Sequence, residues 1–245
     1  MRKYAWLILS IGFTFSLVGC ADEENGGGGG GSAGSGGSGG SGTMVAVTGT
    51  VRESSTDDLP GPTVANATVS VVGSNSTTTD PAGNFSLMAP TGTRLFLTEA
   101  TGNWGSLFAE IVPVGGISGL EVEVIPDALV DEIADGFTTS ADTAKGIVAV
   151  VFDETTTVGG ETASISATSE LSFVFDDQEE PVETDTLIAG GGSEVIFLNV
   201  DLADTVTASA TSTAQQGCPP EFQNATYSVL EKVLTEIDVV CAVQQ

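Results

Sequence analysis

The residues able to do chemistry in this chain are three cysteines and a few clusters of acids. Cys20, Cys218 and Cys241 are the only thiols in 245 residues. As a thiolate, a cysteine can bind a soft metal, attack an electrophile or exchange into a disulfide. Carboxylates gather at Asp57-Asp58, Asp153-Glu154, Asp176-Asp177-Gln178-Glu179-Glu180 and Glu183-x-Asp185. Acids grouped in this way suit hard cations such as calcium, which take oxygen ligands from loops. Histidine is absent, so imidazole general-base catalysis and histidine metal ligation are excluded.

The remaining chemistries have little to rest on. No Asp-x-Asp-x-Asp-Gly loop is present, so the 176–180 stretch reads first as a solvated hairpin tip. Asp176, Asp177, Glu179 and Glu180 stand behind that reading as weak calcium-ligand candidates. Paired carboxylates can hydrolyse glycosides, but among 33 acids some pair always lies at a suitable distance, so the pairing carries no signal. No Gly-x-Ser-x-Gly falls between a strand and a helix, since Gly34-Ser35-Gly36 lies in a glycine tract. That tract is not a phosphate loop either: no strand precedes it and no Lys-Ser or Lys-Thr closes it. No residue is assigned a catalytic role, no cofactor is required beyond the calcium the 176–180 acids could take, and the chain reads as a non-enzyme, with an enzyme of unrecognised type as the remote alternative.

Charge narrows the partners. Six basic residues face 33 acidic ones, a formal −27; without Arg2 and Lys3 four remain against 33, a formal −29. Nucleic acid is excluded as a partner, because phosphate binding needs clustered Lys and Arg. Electrostatic adhesion to anionic lipid is disfavoured for the same reason.

The N-terminus supplies an address. Met1-Arg2-Lys3 is a short positive segment, and 4–17 is an apolar run too short for a comfortable membrane span. Leu17-Val18-Gly19-Cys20 ends the run. This resembles the lipobox of bacterial lipoproteins, which implies a signal peptide over 1–19 and lipidation of Cys20. It also implies a membrane anchor, and at about 0.8 kcal/mol per buried CH₂ two or three acyl chains hold firmly. Ala21, in place of the aspartate often used for inner-membrane retention, implies the outer membrane of a Gram-negative bacterium. Residues 20–43 carry the anchor and a Gly/Ser linker. Such a linker is a flexible coil spanning about 25–29 Å r.m.s..

Residues 44–125 read as strands. Val45, Val47, Gly49 and Val51 alternate with polar or small residues, and Ala65, Ala67, Val69 and Val71 do so again. Thr79-Asp80-Pro81-Ala82-Gly83-Asn84-Phe85 has the composition of a tight turn. Asp can bond its own backbone, Pro presets φ, and Gly supplies the left-handed geometry. Further strands are expected over 94–99, 107–112 and 120–125. Gly49-Thr50-Val51, Ala67-Thr68-Val69-Ser70-Val71 and the 79–85 block occur in the order found in the carboxypeptidase regulatory-like, or transthyretin-like, domain, and the region resembles that family. The resemblance implies a small β-sandwich in which Asp80, Gly83 and Phe85 are structural turn residues, and it is silent on activity.

Residues 126–144 read as a short helical connector, with Pro126 at its start, acids in its first turn and Gly136 past its end. Residues 145–245 restart the pattern at Lys145–Phe152 and 161–167 and read as a second, diverged sandwich. Strands are expected over 205–212 and near the C-terminus. The stretch 229–241 fits a helix through Leu230, Val233, Leu234 and Ile237 and a strand through Val233, Thr235, Ile237, Val239 and Cys241. With Cys20 lipidated, Cys218 and Cys241 form an even pair in an exported chain, which predicts a disulfide.

The expectation is an all-β chain: two small antiparallel transthyretin-like or Ig-like β-sandwiches in tandem, a short helical connector and a disordered N-terminal tether. The function expected is a lipid-anchored, non-enzymatic binding or structural module with a protein or glycan partner in the cell envelope. The alternative is a calcium- or glycan-binding adhesion protein. There, Trp104 would be an exposed stacking residue or, more commonly, a partly buried loop anchor.

Overall fold

The computed structural model describes residues 42–55, 60–152, 159–213 and 217–241. The expected signal peptide over 1–19, the expected lipidation residue Cys20, most of the linker, Asp57-Asp58 and Asp153-Glu154 lie outside the described residues.

The chain is all-β with one helix among the described residues. Its N-terminal unit comprises β1 (Met44–Glu53), β2 (Thr68–Val71), β3 (Ser76–Thr78), β4 (Asn84–Pro90), β5 (Gly92–Glu99), β6 (Asn103–Val112) and β7 (Ile117–Pro126). Helix α1 (Asp127–Gly136) follows. The C-terminal unit comprises β8 (Gly146–Phe152), β9 (Thr162–Ile165), β10 (Leu171–Phe175), β11 (Pro181–Glu183), β12 (Glu194–Val200), β13 (Ala203–Val206), β14 (Ala208–Thr211), β15 (Gly217–Cys218), β16 (Tyr227–Val229) and β17 (Val233–Val239). The ambiguous 229–241 stretch is therefore strand.

In the N-terminal unit, local pattern and burial agree. Val47 and Val51 of β1, Val69 and Val71 of β2, and Phe85, Leu87 and Ala89 of β4 alternate inward and fill one core with Phe96, Phe108, Val122 and Val124. Successive side chains on a strand point to opposite faces, so one face of each strand enters the core. Gly49 stands opposite Phe85 in the β1–β4 ladder. A Cβ there would lie 2.0 Å from the Leu120 carbonyl oxygen and 2.7 Å from the Phe85 ring. The glycine of the Gly-x-Val block is thus the space that Phe85 occupies.

The two units share a sheet, a feature outside the tandem arrangement drawn from sequence. One path of hydrogen-bonded strands runs β11-β10-β12-β8-β17-β6-β5-β2-β3. The C-terminal β17 lies between β8 and β6 and is parallel to both. β1 and β7 are also parallel. Parallel neighbours need long crossovers, and here the crossovers are supplied by whole segments of each unit.

Strands β8, β12 and β17 are covered on both faces, and their sequences read as near-continuous apolar runs for that reason. Val148, Val150, Phe152, Val195, Phe197, Ile237 and Val239 face one core, closed by the small sheets β15-β14-β9 and β13-β16. Ile147, Ala149, Ile196, Leu198 and Leu234 face the opposite way. That second face is capped by Leu129, Val130, Ile133 and Ala134 of α1, with Ile125 of β7 and Trp104 of β6. This last layer is the seam between the two units.

Candidate functional site

The seam holds the most perturbed ionisable groups among the described residues. Glu194 is level with Val151 in the β12–β8 ladder, and Asp238 is level with Val151 from the other side. Ile196, Ala149 and Glu236 form the adjacent row. Residues level across a sheet share a face, so Glu194, Glu236 and Asp238 point to the side on which Ile196, Ala149 and Leu234 enter the seam. Glu123 of β7 alternates with Val122 and Val124, which face the N-terminal core, and so shares a side with Ile125. Strands β12 and β17 are about 10 Å apart across β8. The Glu194 charge acts on Glu236 across β8.

Among the described residues these acids have no strong cationic partner. Glu194 and Glu236 are 7% and 4% exposed. Glu236 Oε2 is buried without a hydrogen-bond partner. Burial raises the Glu236 carboxyl well above the usual range, and Asp238, Glu194 and Glu123 push it further. Burial, then the Glu123 charge, raises Glu194 to about 8. Glu123 is raised by burial, with an opposing hydrogen bond of 3.0 Å from the Ser54 hydroxyl, the Glu121 charge adding to the rise and Arg52 opposing it. Arg52 itself donates to the Gly61 carbonyl at 3.2 Å and sits 3.8 Å from Glu121.

A second group borders the first. Asp238 is raised to about 6 by burial, then by Glu221 and Glu110. Glu110 is raised by burial and by Glu221. The backbone amide of Glu221 donates to the Asp238 carbonyl, which draws the 219–222 segment alongside β17. Across the sheet, burial, then Asp238, Glu236 and Glu221, raises the Tyr227 hydroxyl.

The sequence-derived site residues fall elsewhere. Asp80 Oδ1 accepts from the amides of Ala82 and Asn84, each at 2.9 Å, and Oδ2 accepts from Asn84 Nδ2 at 3.3 Å. These bonds, the Asn84 amide first, hold the exposed Asp80 carboxyl below its ordinary value. Gly83 has φ +78°, and a Cβ there would lie 2.7 Å from Thr63 Cβ. Phe85 is a core residue. Asp80 and Gly83 therefore shape the turn that delivers Phe85.

Asp176 does the same between β10 and β11: its Oδ1 accepts from the amides of Gln178 at 2.8 Å and Glu180 at 3.0 Å. Asp177 and Glu180 are exposed and Glu179 half-buried on that hairpin tip. Among the described residues no group of three or more Asp, Glu or Cys side chains converges closely enough to hold a metal ion. Cys218 and Cys241 are joined, with Cα atoms 4.3 Å apart.

Trp104 corrects the sequence reading. It is neither an exposed stacking residue nor a loop anchor; it lies in β6, 1% exposed, in the seam with Ile125 and Leu234. The flanking Gly102 and Gly105 suggest a loop, but Gly105 belongs to the strand, where a Cβ would lie 2.3 Å from the Thr98 carbonyl oxygen. The seam acids have only a faint signature in sequence: single acids, Glu194, Glu236 and Asp238, inside otherwise apolar runs.

No protein-family model matches the chain, and no curated protein matches it. Among solved structures, the TIE protein of Bacillus anthracis aligns at 12% identity over 81% of this chain and 34% of its own, with a TM-score of 0.26. This chain thus spans about a third of that protein's length. A shaft pilin SpaA mutant from Lactobacillus rhamnosus GG aligns at 12% identity over 82% of this chain and 98% of its own, with a TM-score of 0.24. A streptococcal ancillary pilin aligns at 10% identity over 82% and 63%, with a TM-score of 0.24.

Proposed function

We propose that this chain is a non-enzymatic module of the bacterial cell envelope, anchored by lipid at Cys20, held off the outer membrane by the Gly/Ser linker, and serving a binding or structural role. The observation that supports a structural role most directly is the placement of β17. β17, the last strand among the described residues, is zipped between β8 and β6, so the two units are tied into one body. The Cys218–Cys241 bond fastens the end of β15 to the residues just past β17. A load on either unit is carried through ladder hydrogen bonds rather than through a loop.

The acids that would attract attention as reaction groups lie inside the packed seam, and the turn carboxylates of Asp80 and Asp176 are occupied by backbone amides. The calcium or glycan reading gains nothing from this arrangement, since Asp176 is used by its own hairpin and Trp104 is buried.

Metabolic labelling with radioactive palmitate tests the anchor. Label should enter the wild-type protein, fractionate with outer membrane and be lost in Cys20→Ser. Equal labelling of that variant would overturn the anchor, and turnover of a peptide, ester or glycoside substrate by the purified chain would overturn the non-enzymatic reading.

A further inference from the structure

A buried carboxyl without a counter-ion must either hold a proton or lose the packing around it. The seam concentrates that problem. Glu123 comes from β7, Glu194 from β12 and Glu236 from β17, so the cluster draws on both units; Glu123 raises the proton affinity of both Glu194 and Glu236, and Glu194 raises that of Glu236.

The charged and titratable groups around it are nearly all of one sign. Glu121 on β7, Glu110 on β6, Asp238 on β17 and Glu221 beside it are acidic, and the Tyr227 hydroxyl lies across the sheet. From α1, Asp127 pairs with Lys232 at 2.9 Å, and Asp131, Glu132 and Asp135 add no cation. Lys145 pairs with Asp201 at 3.1 Å. Arg52 of β1 acts on Glu123 and is itself shared with Glu121 and the Gly61 carbonyl.

We propose that the seam is a proton-operated joint: Glu194 and Glu236 pack across it beside Glu123 as neutral acids, and their ionisation loosens the N-terminal unit from the C-terminal sheet. Unfolded glutamates ionise near pH 4.5, whereas the folded protein keeps the Glu194 proton to about 8. The folded state then binds more protons than the unfolded state between these values, so stability falls as pH rises. The stabilisation is complete below about pH 4.5 and is lost as pH climbs through the folded values. The joint therefore holds in acid and slackens in mild alkali.

Trp104 reads the joint directly, because it packs in the same layer and the other tryptophan, Trp6, falls in the leader segment. The test compares wild type with Glu194→Gln, Glu236→Gln and the double variant, in chelator, from about pH 5 to pH 9. Glutamine keeps the size and polarity of the neutral acid and cannot ionise. Wild type should lose roughly 5–10 °C of Tm over this range, with a red shift of Trp104 emission at the alkaline end. The double variant should keep most of that Tm and show no red shift.

Parallel pH profiles in wild type and double variant would overturn the proposal. So would excess calcium chloride restoring wild type but not the double variant at pH 9, which would make the cluster a cation site. If the glutamine variants fail to fold, hydrogen exchange in wild type gives the same decision. The β6–β17 amides, including the Gly105 N–H bonded to the Lys232 carbonyl, should lose protection at pH 9 relative to the β1–β4 ladder, and unchanged relative protection would overturn the joint.

Discussion

At the scale of single residues, two glycines and two aspartates account for much of how the strands meet. Gly49 has no side chain because the ring of Phe85 and the carbonyl of Leu120 occupy its place. Those contacts, at 2.7 and 2.0 Å, are backbone and core contacts with little room to yield. Gly49→Ala should therefore destabilise the protein by about 3 kcal/mol, seen as a lower urea midpoint with unchanged slope. A loss under about 0.5 kcal/mol, the level of an ordinary surface change, would show that β1 can shift to make room. Gly83 serves the same interlock from the turn, where its positive φ sits against Thr63. The carboxylates of Asp80 and Asp176 each cap the amides two and four residues on, so the acid-rich hairpin tip and the 79–85 turn solve one problem with one group.

At the scale of elements, the connector between α1 and β8 is held by one buried side chain. Asn199, at the irregular end of the β12–β8 ladder, has φ +52° and is 1% exposed. Its Oδ1 accepts from the Asp142 amide at 2.8 Å, and its Nδ2 donates to the Ser140 carbonyl at 2.9 Å and to Glu170 at 2.7 Å. The hydroxyl of Thr139 and the Asn199 amide hold the Glu170 carboxyl below its ordinary value. Asn199→Ala should cost about 2–4 kcal/mol, from unmade buried bonds and the left-handed backbone. Asn199→Gly, which tolerates that backbone, should recover about 1 kcal/mol of it. Equal losses in calorimetry would remove the backbone part of this account.

What the sequence discloses follows from the same local physics. β1, β2 and β4 have one buried face, so the alternation of Val47, Val51, Val69, Phe85 and Leu87 marks them, and the 79–85 turn is spelled in its residue types. Pro126 and Gly136 bracket α1 closely. The seam is not legible in this way. Glu236 and Asp238 hold the alternate positions that a half-buried strand gives to solvent, and only the packing of a distant β7 and α1 closes that face. Nor does any local pattern tell β17 to pair with β6, more than 120 residues upstream in the chain.

At the scale of the whole molecule, β17 makes the stability of each unit depend on the other. Removing it would uncover the edges of β8 and β6 together and strip Leu234 from the seam and Ile237 and Val239 from the C-terminal core. The Cys218–Cys241 bond closes a segment of sequence separation 23 that ends at this strand. In the chain-entropy view such a loop is worth roughly 3 kcal/mol. A Cys218→Ala, Cys241→Ala variant should lose about that much. Because β17 is shared, the loss should appear in both units at once rather than as early melting of the C-terminal one. Far-ultraviolet circular dichroism follows all strands, and Trp104 emission follows the seam. Coincident urea transitions of the two signals, moved together by the double variant, are the expected result. An earlier Trp104 transition in the variant would mean that the seam opens while the sandwiches persist, and that β17 is a latch between separable units rather than a strand of one body.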